Sequence, residues 1–151
     1  MSSKSFADLG VSKPVVKALD ERGFTSPFAI QQQVIEDVLS TAATCFQSPT
    51  GSGKTLAFGV PLVDLIEAQD RRPAALILAP TRELASQIVD ELDSVCRSRA
   101  LSIAAVYGGV GIQAQAKRAA RAHIVVACPG RLEDLLQRRA FDTLLDEVLH
   151  R

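Results

Sequence analysis

The sequence predicts an α/β fold in which a parallel sheet is flanked by helices on both faces. Three observations lead there. Four short apolar runs recur along the chain: "ATCFQ" (43–47), "AALILA" (74–79), "SIAAVY" (102–107) and "HIVVAC" (123–128). Each is bounded by turn chemistry, so each reads as a buried strand. A helical pattern separates each from the next, and buried strands alternating with helices make a parallel sheet covered on both sides.

The elements follow in order. "GVSKPVVKALDERG" (10–23) reads as a short helix with Ser12 as N-cap, Pro14 early and Gly23 as the stop. "SPFAIQQQVIEDVLS" (26–40) reads as the next helix, capped by Ser26, with Pro27 in its first turn and Ile30, Val34 and Val38 in one stripe. Further helices are expected from about Lys54 to Ala68, Arg82 to Arg97 and Gln113 to Arg121. In the second of these, Leu84, Ile88, Leu92 and Val95 recur at helical spacing. The last stretch, from Arg131, is mostly helical in pattern, and no fifth strand is visible before Arg151.

A chain of 151 residues is one domain's worth. Hydrophobic residues make up 47% and charged ones 23%, an ordinary globular composition. Seventeen basic residues balance seventeen acidic ones, so any grip on a polyanion must come from a local patch. Cys45, Cys96 and Cys128 are scattered without zinc spacing and read as small buried hydrophobes in a reducing compartment. No apolar run approaches the ~18 residues of a membrane span, and "MSSKSFADLG" lacks a signal core. The expected location is the cytoplasm, with no membrane partner.

"SPTGSGKT", Ser48 to Thr55, lies between an expected strand and an expected helix. Gly51 and Gly53 allow the backbone to bend so that N–H groups of Ser48, Thr50, Gly51, Ser52 and Gly53 face a phosphate. The helix adds its positive end. Lys54 would reach the β- and γ-phosphates, and the Thr55 hydroxyl would ligate Mg²⁺. Ser48 stands where the strict pattern has Gly.

With three further segments, "GFTSPFAIQ" (23–31), "PTREL" (80–84) and "CPGR" (128–131), the chain resembles the first RecA-like domain of a DEAD-box ATP-dependent RNA helicase, a P-loop NTPase fold. The resemblance runs from Phe6 to about Arg139. It implies a nucleotide site for ATP or ADP with Mg²⁺, in which Lys54 and Thr55 serve catalysis. "GFTSPFAIQ" is similar to the Q motif. By that resemblance the Gln31 amide reads the adenine edge, the Phe24 ring packs against the base and Phe6 braces the pocket. An amide offers the donor and acceptor that match N7 and N6–H of adenine.

"PTREL" resembles motif Ia, which implies that Pro80, Thr81 and Arg82 meet the RNA backbone. Gly108 and Gly109 resemble the GG element, where small residues allow RNA to approach. "CPGR" resembles motif Ib, usually TPGR, and assigns Gly130 and Arg131 to RNA. Cys128 replaces the threonine and weakens one hydrogen bond by about 1 kcal/mol. Lys117, Arg118 and Arg121 read as a solvated helix face.

Hydrolysis also needs an Asp for Mg²⁺ and a Glu for the attacking water. The family takes both from a D-E-A-D tetrapeptide that this sequence lacks. Asp146 and Glu147 in "LLDEVLHR" follow helical periodicity and read as solvated. The Ser-Ala-Thr motif and the second RecA-like domain, which is the parent's partner in closing over ATP, are also missing. The expectation is a partial N-terminal domain over 1–151 that binds but does not hydrolyse, with a sheet left open beside the phosphate-loop strand. Two rivals stand beside it. One is a truncated, non-catalytic nucleotide- or RNA-binding module that competes with a full helicase. The other is a small-molecule kinase, disfavoured by the Q-motif, "PTREL" and "CPGR" segments.

Overall fold

The computed structural model describes residues 4–40, 43–49 and 53–137. Along these residues run α1 (Lys13–Glu21), α2 (Ala29–Ser40), α3 (Lys54–Leu65), β1 (Ala75–Leu78), α4 (Arg82–Ser98), β2 (Ile103–Val106), α5 (Ile112–Arg121), β3 (Ile124–Ala127) and α6 (Pro129–Gln137). They fall into two compact units, Met1–Ala68 with Glu91–Ala100, and Gln69–Asp90 with Leu101–Arg151.

The first unit is helical, with Phe6, Leu19, Ile35, Val60, Val63, Leu92 and Val95 buried in its core. Burying each such side chain contributes roughly 1.5–3 kcal/mol. Gly23 stops α1 as expected. Its φ of +84° lets its N–H donate to the Asp20 carbonyl, while Phe24 N–H donates to that of Leu19. These are the paired bonds of a Schellman ending. The other end of α1 differs from expectation, because Ser12 makes no side-chain cap. Its N–H and hydroxyl donate instead to Asp64, at 2.8 and 2.6 Å, which ties the start of α1 to the end of α3.

Two further expectations need correction. α3 ends at Leu65 rather than near Ala68, since Ile66 turns extended. Residues 43–47, the expected first strand, form no strand among the described residues, and Ala43, Thr44 and Cys45 are exposed. An apolar run becomes a strand only where a neighbour accepts its hydrogen bonds.

The second unit holds a parallel sheet in the order β1-β3-β2. Its register aligns Leu78, Ala127 and Val106 at one edge. β3 is central and all four of its residues are buried, which suits its continuous apolar run. Val106, Ala119, Ala122, Val125, Leu132 and Leu135 build one core cluster from β2, α5, β3 and α6. Lys117, Arg118 and Arg121 lie on the exposed face of α5.

Candidate nucleotide site and nucleic-acid face

In the first unit, Gln31 joins the Q-motif segment to the start of the phosphate-loop helix. α2 begins at Ala29, two residues later than a Ser26 cap would place it. Gln31 is its third residue, and its Oε1 accepts the Phe28 N–H at 2.9 Å. That is one half of a capping box, and it explains the later start. The Gln31 Nε2 donates to the Gly53 carbonyl at 3.2 Å. The side chain is 1% exposed.

Gly53 sits at φ +83°, directly before Lys54, the first residue of α3. A Cβ there would lie 2.4 Å from Gln31 Nε2 and 2.9 Å from Phe28 Cδ2. Both the left-handed backbone and the close approach of the amide therefore require glycine. Lys54 and Thr55 occupy the first turn of α3, half-buried, where unpaired N–H groups and the helix dipole favour an anion. Ser48 is also half-buried, while Thr50, Gly51 and Ser52 lie outside the described residues. The Arg22 guanidinium stands 5.3 Å from the centroid of the half-buried Phe24 ring. Phe6 is a buried core residue of the same unit.

In the second unit, three sequence-distant segments meet at the carboxyl edge of the sheet. Pro80 to Arg82 follow β1, Tyr107 to Gly109 follow β2, and Cys128 to Arg131 follow β3. Parallel pairing forces this convergence, because all three strands point the same way. It is the edge at which open α/β sheets take ligands.

Thr81 caps α4, accepting the Leu84 N–H on its hydroxyl at 3.2 Å. Arg82 starts that helix exposed, its guanidinium 4.8 Å from the Tyr107 ring centroid. Gly109, at φ +88°, lies under it: a Cβ there would come 3.2 Å from Arg82 Nη1. At Gly108 and Gly130 a Cβ would meet nothing within 4 Å. No packing demands glycine at these two places, and in a helix Gly130 costs up to about 1 kcal/mol against alanine. Open backbone at such positions suits a ligand lying directly upon it.

Cys128 precedes α6 and its carbonyl accepts the Leu132 N–H. Arg131 Nη1 donates to the Val110 carbonyl at 3.0 Å and to Gln115 Oε1 at 3.1 Å. Tyr107 and Gln115 are site residues that no motif marks. A signal for Gln115 is nonetheless present, since it lies on the apolar stripe of α5 with Ile112, Ala116 and Ala119. Asp146 and Glu147 lie outside the described residues.

Residues 28–149 match the DEAD/DEAH box helicase family. The chain belongs to that family. Among its relatives is the DEAD-box ATP-dependent RNA helicase CshA of Streptococcus pneumoniae, 40% identical over 136 residues, covering 89% of this chain and 26% of CshA. The ATP-dependent RNA helicase DbpA of Bacillus subtilis is 37% identical over 134 residues, covering 88% of this chain and 28% of DbpA. This DEAD/DEAH chain thus spans about a quarter of the length of those relatives. A DEAD box protein from the hyperthermophile Methanococcus jannaschii superposes with a TM-score of 0.84 at 39% identity, over 91% of this chain and 38% of that one. The RNA-helicase Prp28 from Chaetomium thermophilum, in a structure bound to ADP, gives 0.80 at 33% identity, over 92% and 35%. The fold is therefore the RecA-like α/β fold of the helicase family, as the resemblance implied.

Proposed function

We propose that this chain is the adenine-nucleotide- and RNA-backbone-binding part of a cytoplasmic ATP-dependent RNA helicase. The observation that carries this reading is the convergence of Arg82, Arg131 and the open glycines Gly108 and Gly130 at one sheet edge. Two guanidiniums, a capped helix start and uncovered backbone are what a phosphate–sugar chain needs. Pro80, Thr81 and Gly109 complete that surface.

The nucleotide belongs to the first unit. Gln31 has one N–H and one lone pair beyond those already bonded, a pair that matches N7 and N6–H of adenine. Its burial means that the base meets the amide only as neighbouring residues give way. Phe24 offers its ring to the base. The phosphates lie against Ser48, Thr50, Gly51, Ser52 and Gly53, with Lys54 reaching the β- and γ-groups. Thr55 would hold Mg²⁺, which supplies charge neutralisation there when bound. The half-buried hydroxyl in the first turn of α3 fits that role.

The sequence contains no Asp-Glu-Ala-Asp tetrapeptide to position Mg²⁺ and water. The 151 residues are therefore expected to bind nucleotide without turning it over.

The RNA reading is tested by anisotropy titration of a short labelled single-stranded RNA with the whole chain. Arg82→Ala and Arg131→Ala should each weaken binding evenly across RNA sequences and flatten the salt dependence by about 0.7 in log–log slope. Unchanged binding in both variants would remove the RNA reading.

A further inference from the structure

We propose that Gln115 is a positioning residue for the nucleic-acid face, holding the Tyr107 backbone and the Arg131 guanidinium with one buried amide oxygen. The inference rests on the RNA reading of that edge given above. Gln115 is 2% exposed. Its Oε1 accepts the Tyr107 N–H at 3.3 Å and the Arg131 Nη1 at 3.1 Å. An amide oxygen has two lone pairs, so this one atom is fully used.

The two partners belong to different RNA segments. Arg131 starts the helix after β3. Tyr107 leads into the glycine loop after β2, and its ring carries Arg82 from the segment after β1. One oxygen therefore sets Arg131 directly and Arg82 through an aromatic ring. The loop between them has little packing to hold it. Added Cβ atoms at Gly108 and Gly111 would meet nothing, and Val110 is 40% exposed. The bond from Arg131 to the Val110 carbonyl and the bond from Tyr107 to Gln115 supply the anchorage.

A purely packing role would be served better by another residue. Gln115 shares the α5 stripe with Ile112, Ala116 and Ala119, which pack on an apolar cluster. A leucine there would bury more apolar surface and desolvate no amide. The glutamine supplies something leucine lacks, which is an acceptor for two donors.

The test uses the whole chain and the same labelled RNA over a series of KCl concentrations, with thermal melts to establish folding. Gln115→Leu should weaken RNA binding about tenfold. Its log–log salt slope should flatten by about 0.7 for each phosphate that an arginine no longer reaches. Gln115→Glu keeps an acceptor oxygen for both donors and should restore most of the affinity and the slope. A folded Gln115→Leu chain with unaltered affinity would overturn the inference, and so would weaker binding with an unaltered slope, which signals fewer folded molecules rather than misplaced arginines. If Gln115→Leu does not fold, Gln115→Met takes its place under the same criteria. Should neither fold, the residue is structural and the inference fails. Arg82→Ala and Arg131→Ala run in parallel. If they too leave binding unchanged, the RNA reading is what fails. If they weaken it while Gln115→Leu does not, only the positioning role is lost.

Discussion

A methyl group at Gly53 would fall 2.4 Å from the amide nitrogen of Gln31, on a backbone at φ +83°. The left-handed backbone alone costs a non-glycine residue about 1–2 kcal/mol, and the clash would push Gln31 off the Gly53 carbonyl. Gly53→Ala is expected to lower the urea midpoint and to abolish Mg-ADP binding, both measurable on one preparation. Cys96 makes a second residue-scale case. Burial, reinforced by the charge of Asp93, pushes its thiol from 9.0 up to about 12. Above pH 9 the unfolded chain loses this proton while the folded chain keeps it, so stability is full below pH 9 and declines as pH rises toward 12. Urea melts at about pH 8 and about pH 10 should therefore differ less for Cys96→Ala than for the unsubstituted chain. The same burial should leave Cys96 unlabelled by iodoacetamide under native conditions, while Cys45, exposed rather than buried as its sequence setting suggests, reacts.

Between helices, α3 meets α4 closely at Gly59. A Cβ there would lie 2.2 Å from the buried Leu92 Cδ2. Overpacking of this kind costs about 1–3 kcal/mol, partly offset by the better helix propensity of alanine. Gly59→Ala should thus destabilise by about 1 kcal/mol, and Leu92→Ala in the same chain should remove the clash in a double-mutant cycle. At this scale the sequence is informative wherever local signals suffice. The Gly23 stop of α1, the Thr81 to Arg82 start of α4 and the three ladder strands are all legible in turn residues and apolar runs. Where the deciding partner is distant, legibility ends. Ser12 turns to Asp64, 52 positions away, and no capping rule anticipates that. The run at 43–47 has the composition of a strand but forms none among the described residues.

For the molecule as a whole, net charge is zero, so any affinity for RNA must be local. Three motifs scattered between Pro80 and Arg131 become one basic edge only because β1, β3 and β2 run parallel and in register. The motifs are legible in the sequence, and so is the phosphate-loop helix start. The hydrogen bonds of the buried Gln31 and Gln115 amides are not, because their partners come near only on folding. The Q-motif resemblance points Gln31 at adenine alone, yet its amide also braces the helix start through Gly53. We propose an adenine-selective nucleotide site at Gln31 and Lys54. Calorimetric titration of the whole chain with Mg-ADP and, separately, Mg-GDP tests it most directly, with Lys54→Ala as control. The expected result is heat of binding for ADP, none for GDP, and loss of the ADP signal in Lys54→Ala. Equal binding of both nucleotides, or of neither, would contradict it.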